Sequence, residues 1–159
     1  MRLLFSASPM CAGVTGAQAA FMPPSDARHL PRLEFSMRFE DLNWMDVDRY
    51  LDQDDRIILV TGATEQHAYL SLMTDILIPS RIALAAAERT GVLVAPPLNF
   101  GVSAYFADFP GTISLSQETF AQVLLEVVQS LAYQGFRSFF VLNGHGGNQP
   151  PAALLDMAR

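Results

Sequence analysis

The sequence predicts an α/β domain built on a mainly parallel sheet, and three observations carry that reading. Short apolar, β-branched runs alternate with segments of helical periodicity, the order of strand–helix–strand units. The first run, Arg56 to Thr61, shows no apolar–polar alternation, so a strand covered on both faces is expected. Half of the 159 residues are apolar and 16% are charged, a balance that requires a buried core and excludes a disordered chain.

Residues 1–35 stand apart, rich in Ala, Ser, Met and Pro and without periodicity. Arg2, a short apolar stretch and the Ala17-Gln18-Ala19 step faintly match a secretory signal. Ser6, Ser8 and Pro9 break its apolar core. The segment is expected to be a disordered leader, with the folded domain over 36–159.

From Phe39 the texture changes. Val47, Tyr50 and Leu51 have the spacing of a short amphipathic helix, with Asn43 as its N-cap and Asp54-Asp55 closing it. Arg56 to Thr61 is the first strand, ended by Gly62. A second helix is expected from about Ile78 to Arg89, with Pro79 in its first turn and Gly91 just past its end. Val92 to Ala95 is the next strand, stopped by Pro96-Pro97. The connection from Leu98 to Ser116 is long, and its aromatics argue against disorder. Ser116 is placed to cap a third helix whose apolar stripe is Phe120, Val123, Leu124, Val127, Val128 and Leu131. Gly135 ends it, Arg137 to Leu142 is the third strand, and Asn143 to Asn148 is a Gly-rich loop. Pro150-Pro151 opens a further helix that is unfinished at Arg159, so the domain reads as incomplete at its C-terminus.

Composition removes several functions. Ten Lys+Arg against sixteen Asp+Glu give a net charge of −6 and no basic footprint for nucleic acid. The single cysteine, Cys11, permits neither an internal disulfide nor a Cys-based zinc site. No apolar run reaches the roughly eighteen residues of a spanning helix, so no membrane role is expected.

The chemistry lies in the loops. Glu65 and His67 follow the first strand and, two apart in an extended segment, project to the same side. Asp75 stands just ahead of the expected second helix, and His145 just past the third strand. In open α/β sheets ligands collect beyond the carboxyl ends of the strands, where these loops emerge. Two carboxylates and two imidazoles form a mixed donor set suited to zinc, manganese or iron, and a shared carboxylate permits a dinuclear site. Such a site activates water for hydrolysis. Each residue also has a plainer reading: Asp75 as a helix cap, Glu65 as a solvated loop residue, either histidine as a packed or surface side chain. The Gly-rich loop reads equally as a turn admitting a neighbouring backbone. As a phosphate cradle it lacks the Lys-Ser/Thr ending.

Taken together the segments are more specific. Gly62-Ala63-Thr64-Glu65-Gln66-His67, then Thr74-Asp75, then Asn143-Gly144-His145-Gly146-Gly147-Asn148 resemble the creatininase (creatinine amidohydrolase) family. Pro97-Leu98, Gly101 with Ser103, and Phe109-Pro110-Gly111-Thr112-Ile113-Ser114-Leu115 add to the likeness, which runs from about Phe39 to Arg159. The resemblance implies a three-layer α-β-α fold with a divalent metal pair at the sheet's carboxyl edge. It implies hydrolysis of a C–N bond in a small, often cyclic amide, and homo-oligomers, commonly hexamers. The family's metal-binding Glu and His fall on Glu65 and His67, its bridging Asp on Asp75, and its NGH histidine on His145.

The departures are local. The segment from Ala68 to Asp75 is one residue shorter than the family's GPHLPLxTD, and Gly147 stands where creatininase carries a metal-binding Glu. Tyr105-Phe106 replaces a frequent acidic or His-bearing pair. Creatinine itself is therefore not the expected substrate. One ion is expected on Glu65, Asp75 and His145; a second would have only His67 and Asp75 with waters, two protein ligands that would hold it poorly.

The leading expectation is a cytoplasmic, homo-oligomeric metal-dependent amidohydrolase. In it a metal-bound hydroxide attacks a small amide, Ser103, Tyr105 and Phe106 line the substrate, and the proton shuttle is unassigned. A second reading is a truncated, inactive member with a packing or assembly role. A third is an anion-binding module using the Gly-rich loop.

Overall fold

The computed structural model describes residues 36–152 and Leu154. The leader expected over residues 1–35 and most of the helix expected after Pro150-Pro151 lie outside the described residues.

A single 3-10 turn (Phe39–Asp41) leads into helix α1 (Trp44–Leu51), strand β1 (Arg56–Thr61), helix α2 (Thr74–Thr90) and strand β2 (Leu93–Val94). Another 3-10 turn (Ala104–Phe106), helix α3 (Gln117–Gln134) and strand β3 (Ser138–Asn143) follow. The strands form one sheet in the order β2-β1-β3, and both pairings are parallel. β1 and β3 pair along their whole length, from Arg56 beside Ser138 to Thr61 beside Asn143. Their carboxyl ends are therefore level.

Strand pleating sorts β1 into two cores. Ile57 and Leu59 face a cluster with Val47 of α1 and Phe120, Leu124 and Val128 of α3. Ile58 and Val60 face Ala83 and Ala87 of α2. The result is the three-layer α-β-α arrangement. β1 is covered on both faces because it is the middle strand. β3 is at the edge among the described residues, and Phe140 and Val141 there are 45% and 38% exposed.

The helix signals act as local chemistry dictates. Asn43 caps α1, its side chain accepting from the Met45 and Asp46 amides, while the Asp46 carboxylate accepts from the Asn43 amide. Ser116 caps α3 through the Thr119 amide. Gly91 ends α2 in a left-handed conformation, φ 71°. Of the expected α3 stripe, Phe120, Leu124, Val128 and Leu131 are buried, whereas Val123 is exposed.

Three boundaries differ from expectation. α2 begins at Thr74, a full turn before Ile78, so Asp75 lies inside the helix and Pro79 sits in its interior. The missing Pro79 N–H removes one helical hydrogen bond, and the helix accommodates that loss. β2 shrinks from the expected Val92–Ala95 to Leu93–Val94, because only Leu93 and Val94 pair with β1 as a ladder. β3 runs one residue later than expected, to Asn143, which pairs with Thr61. No described helix is long and apolar enough to cross a membrane.

Candidate metal centre

The centre forms where three elements meet at the carboxyl edge of the sheet. The loop after β1 supplies Glu65 and His67, the first turn of α2 supplies Asp75, and the loop after β3 supplies His145. Asp75 does not cap α2; its carboxylate is engaged elsewhere. Oδ1 lies 2.9 Å from His67 Nε2 and Oδ2 lies 2.8 Å from His145 Nδ1. One carboxylate thus stands between two imidazoles that are 78 positions apart in the chain.

Both rings are anchored from behind. His67 Nδ1 is 3.2 Å from the Glu65 carbonyl oxygen, and His145 Nε2 is 2.9 Å from the Val102 carbonyl oxygen. A carbonyl only accepts, so each of these nitrogens carries the proton and donates. In the neutral ring, the nitrogen facing Asp75 then carries a lone pair. Two lone pairs aimed at one carboxylate require a cation between them, either a proton or a metal ion. The same device, an N–H held by a backbone carbonyl, orients metal-binding histidines in general.

Glu65 adds to the set. It is 5% exposed, its Oε1 lies 3.6 Å from His145 Nδ1, and its Oε2 is buried without a hydrogen-bond partner. An orphaned buried carboxylate oxygen is costly unless a cation satisfies it. Ligand atoms of Glu65, Asp75 and His145 all lie within 4.8 Å of one another. These three could hold one ion; His67 joins them through Asp75. The donor set suits a divalent ion of the zinc or manganese kind.

The loop between β3 and Pro150 is tied down by two asparagines. Asn143 Nδ2 donates to the His145 carbonyl (2.7 Å), and its Oδ1 accepts from the Thr61 hydroxyl (3.0 Å). Asn148 Nδ2 donates to the Gly62 carbonyl (3.0 Å), and its Oδ1 accepts from the Val102 amide (3.0 Å). Asn148 therefore joins the exits of β1 and β3 to the segment whose carbonyl holds His145. Neither asparagine nor Val102 was singled out from the sequence. Asparagine at both ends of a Gly-rich loop is a readable signal for side-chain-to-backbone turns. A backbone carbonyl such as that of Val102 leaves no such mark.

Of the residues expected to line the substrate, Ser103 is buried, its amide donating to Ser114 Oγ and its hydroxyl unpartnered. Tyr105 is 91% exposed and packs edge-on against Phe106 at 5.1 Å between ring centroids. Gly147 has a further meaning. A Cβ there would lie 2.2 Å from the Val102 oxygen and 2.6 Å from His145 Nε2. The hydrogen bond that orients His145 occupies the space any side chain at 147 would need.

A parallel α/β sheet carrying carboxylates and imidazoles at its carboxyl edge defines a class of proteins equipped to hold a divalent ion beside a ligand. Comparison with known proteins names the family within that class. The family model described as creatinine amidohydrolase matches residues 40–156, and the chain belongs to the creatininase family. It is similar to the creatinine amidohydrolase of Pseudomonas putida, 30% identical over 115 residues, which cover 68% of this chain and 44% of that protein. It is also similar to the mycofactocin precursor peptide peptidase of Mycobacterium ulcerans, 40% identical over 102 residues, covering 58% of this chain and 40% of that protein. A solved creatininase in a manganese form superposes with a TM-score of 0.70 at 30% identity, covering 78% of this chain and 51% of that one. The chain thus spans less than half the length of these two curated relatives.

Proposed function

We propose that this chain is a metal-dependent amidohydrolase acting on the C–N bond of a small amide, with Glu65, His67, Asp75 and His145 holding the ion. One observation carries the reading: the Asp75 carboxylate stands between two imidazoles whose opposite nitrogens are each held by a backbone carbonyl. The orphaned Glu65 Oε2 supports it. So do the relatives, one named for creatinine and one for a peptide. A bound divalent ion supplies Lewis acidity and lowers the pKa of water. The Val102 and Glu65 carbonyls hold the two rings in the tautomer that leaves a lone pair inward. Asn143 and Asn148 keep the loop that bears His145 against the sheet. Ser103, Tyr105 and Phe106 follow Val102 in the chain and are the residues proposed to line the substrate. Zinc, manganese or iron fits the donors, and manganese is named for a solved creatininase. Homo-oligomerisation and a cytoplasmic location complete this reading.

A second reading, a family member that serves only in an assembly, is favoured by one feature. Among the described residues β3 is an edge strand and presents Phe140 and Val141 to solvent, and open edges invite association.

The test is metal analysis of the purified 159-residue chain, followed by amide hydrolysis after chelation and after reconstitution. About one tightly held transition-metal ion per chain is expected, with cleavage lost on chelation and restored by the ion. A metal-free chain whose melting temperature ignores added Zn²⁺ or Mn²⁺ would overturn the proposal in favour of the assembly role.

A further inference from the structure

We propose that Pro79, Gly62 and Gly144 form a seat that sets where the Asp75 carboxylate stands. This positioning role rests on the reading of Asp75 as the group shared by the two imidazoles.

The first part of the seat is in α2. Pro79 lies four residues after Asp75 inside the helix. It has no N–H to give the Asp75 carbonyl, and its ring crowds that carbonyl outward. The second part is the sheet edge. A Cβ on Gly62 would lie 2.3 Å from the Asp75 carbonyl oxygen, and a Cβ on Gly144 would lie 2.2 Å from it. A Cβ on Gly144 would also lie 2.7 Å from Pro79 Cγ. Gly62 follows β1 directly and Gly144 follows β3 directly, and these two strands end level. Each strand is therefore followed by a residue small enough to admit the same backbone oxygen. Neither glycine is among those with positive φ, so space alone is the requirement.

The carbonyl and the carboxylate belong to one residue, so seating the first places the second. Relieving either clash to ordinary contact would move the first turn of α2 by about 1 Å. The rings of His67 and His145 would not follow, because the Glu65 and Val102 carbonyls hold them separately. Metal–ligand distances tolerate only about 0.2 Å. A displaced seat would thus separate Asp75 from rings that stay in place.

Gly146 supplies the control. It lies in the same loop, and a Cβ there would meet nothing within 4 Å. The experiment compares Gly144→Ala, Pro79→Ala and Gly146→Ala in the full chain. Two quantities are read: the imidazole ¹⁵N resonances of His67 at fixed pH without metal, and the dissociation constant for Zn²⁺ alone. Gly144→Ala and Pro79→Ala are expected to shift the His67 resonances and to raise the zinc dissociation constant at least about tenfold. Gly146→Ala is expected to match the wild type in both. Pro79→Ala returns an N–H to the helix interior and favours the helix, so it decides the matter even where Gly144→Ala does not fold. Unchanged His67 resonances and unchanged zinc affinity in Pro79→Ala would overturn the seat. A wild-type chain that binds no zinc would count against the metal reading alone, because the metal-free His67 resonances still decide the seat.

Discussion

The Nε2 of His145 lies 2.9 Å from the carbonyl oxygen of Val102, 43 residues earlier in the chain. That contact decides which ring nitrogen carries the proton and leaves Nδ1 facing the carboxylates of Asp75 and Glu65. A backbone group remote in sequence thus prepares the side chain that the centre depends on.

Asn148 holds Val102 in place. Asn148→Ala removes the acceptor for the Val102 amide and the donor to the Gly62 carbonyl. Urea unfolding is expected to show a loss of about 1–3 kcal/mol. Calorimetric titration with zinc should show affinity weakened about 10–100-fold. Retained zinc affinity in a folded variant would mean that Val102 is held by other contacts.

Gly147→Glu is expected not to add a carboxylate to the centre. Its Cβ would strike the Val102 oxygen and His145 Nε2. Metal analysis should show fewer bound ions than in the wild type, and the variant should melt at a lower temperature. A gain of a second stoichiometric ion would show that the Val102 segment can retreat.

Glu65→Gln separates binding from folding. Glu65 is buried beside Asp75 with one oxygen unpartnered. Neutralising it is expected to stabilise the metal-free protein by about 1 kcal/mol. The same change should weaken zinc binding at least about a hundredfold, because an anionic donor is lost. Chemical unfolding with and without zinc reads both signs in one experiment.

Tyr50 gives a pH prediction away from the centre. Its hydroxyl donates to the Arg56 carbonyl at 2.8 Å and accepts from the Leu93 amide at 3.4 Å. Burial pushes the phenol up to about 12, opposed by the Leu93 amide. An unfolded tyrosine ionises near about 10. The fold therefore keeps a proton that the unfolded chain releases. This contribution to stability is whole below about pH 10 and is lost as pH rises toward 12. Tyr50→Phe should cost about 1 kcal/mol at neutral pH, and its decline between those pH values should be shallower than that of the wild type. Denaturant midpoints across the alkaline range check both.

Much of the fold was legible because its signals are local. Asn43 and Ser116 announce helix starts through side chains that reach amides two or three residues on. The β-branched run from Ile57 to Val60 announces a middle strand because every residue in it is buried. The start of α2 was misplaced because Met73 caps it without a side-chain bond and Pro79 imitates a first-turn proline. The sequence motifs likewise named Glu65, His67, Asp75 and His145, since residue type and chain order suffice for a resemblance.

By itself the sequence determined the alternation of strands and helices, the family likeness and the candidate donor residues, all of which depend on near neighbours along the chain. Only the tertiary structure decided how those donors meet. The Val102 carbonyl behind His145 and the Gly62 carbonyl that Asn148 reaches lie 43 and 86 residues from the side chains that use them. Backbone atoms are the same at every position, so no residue letter records where they will be brought together.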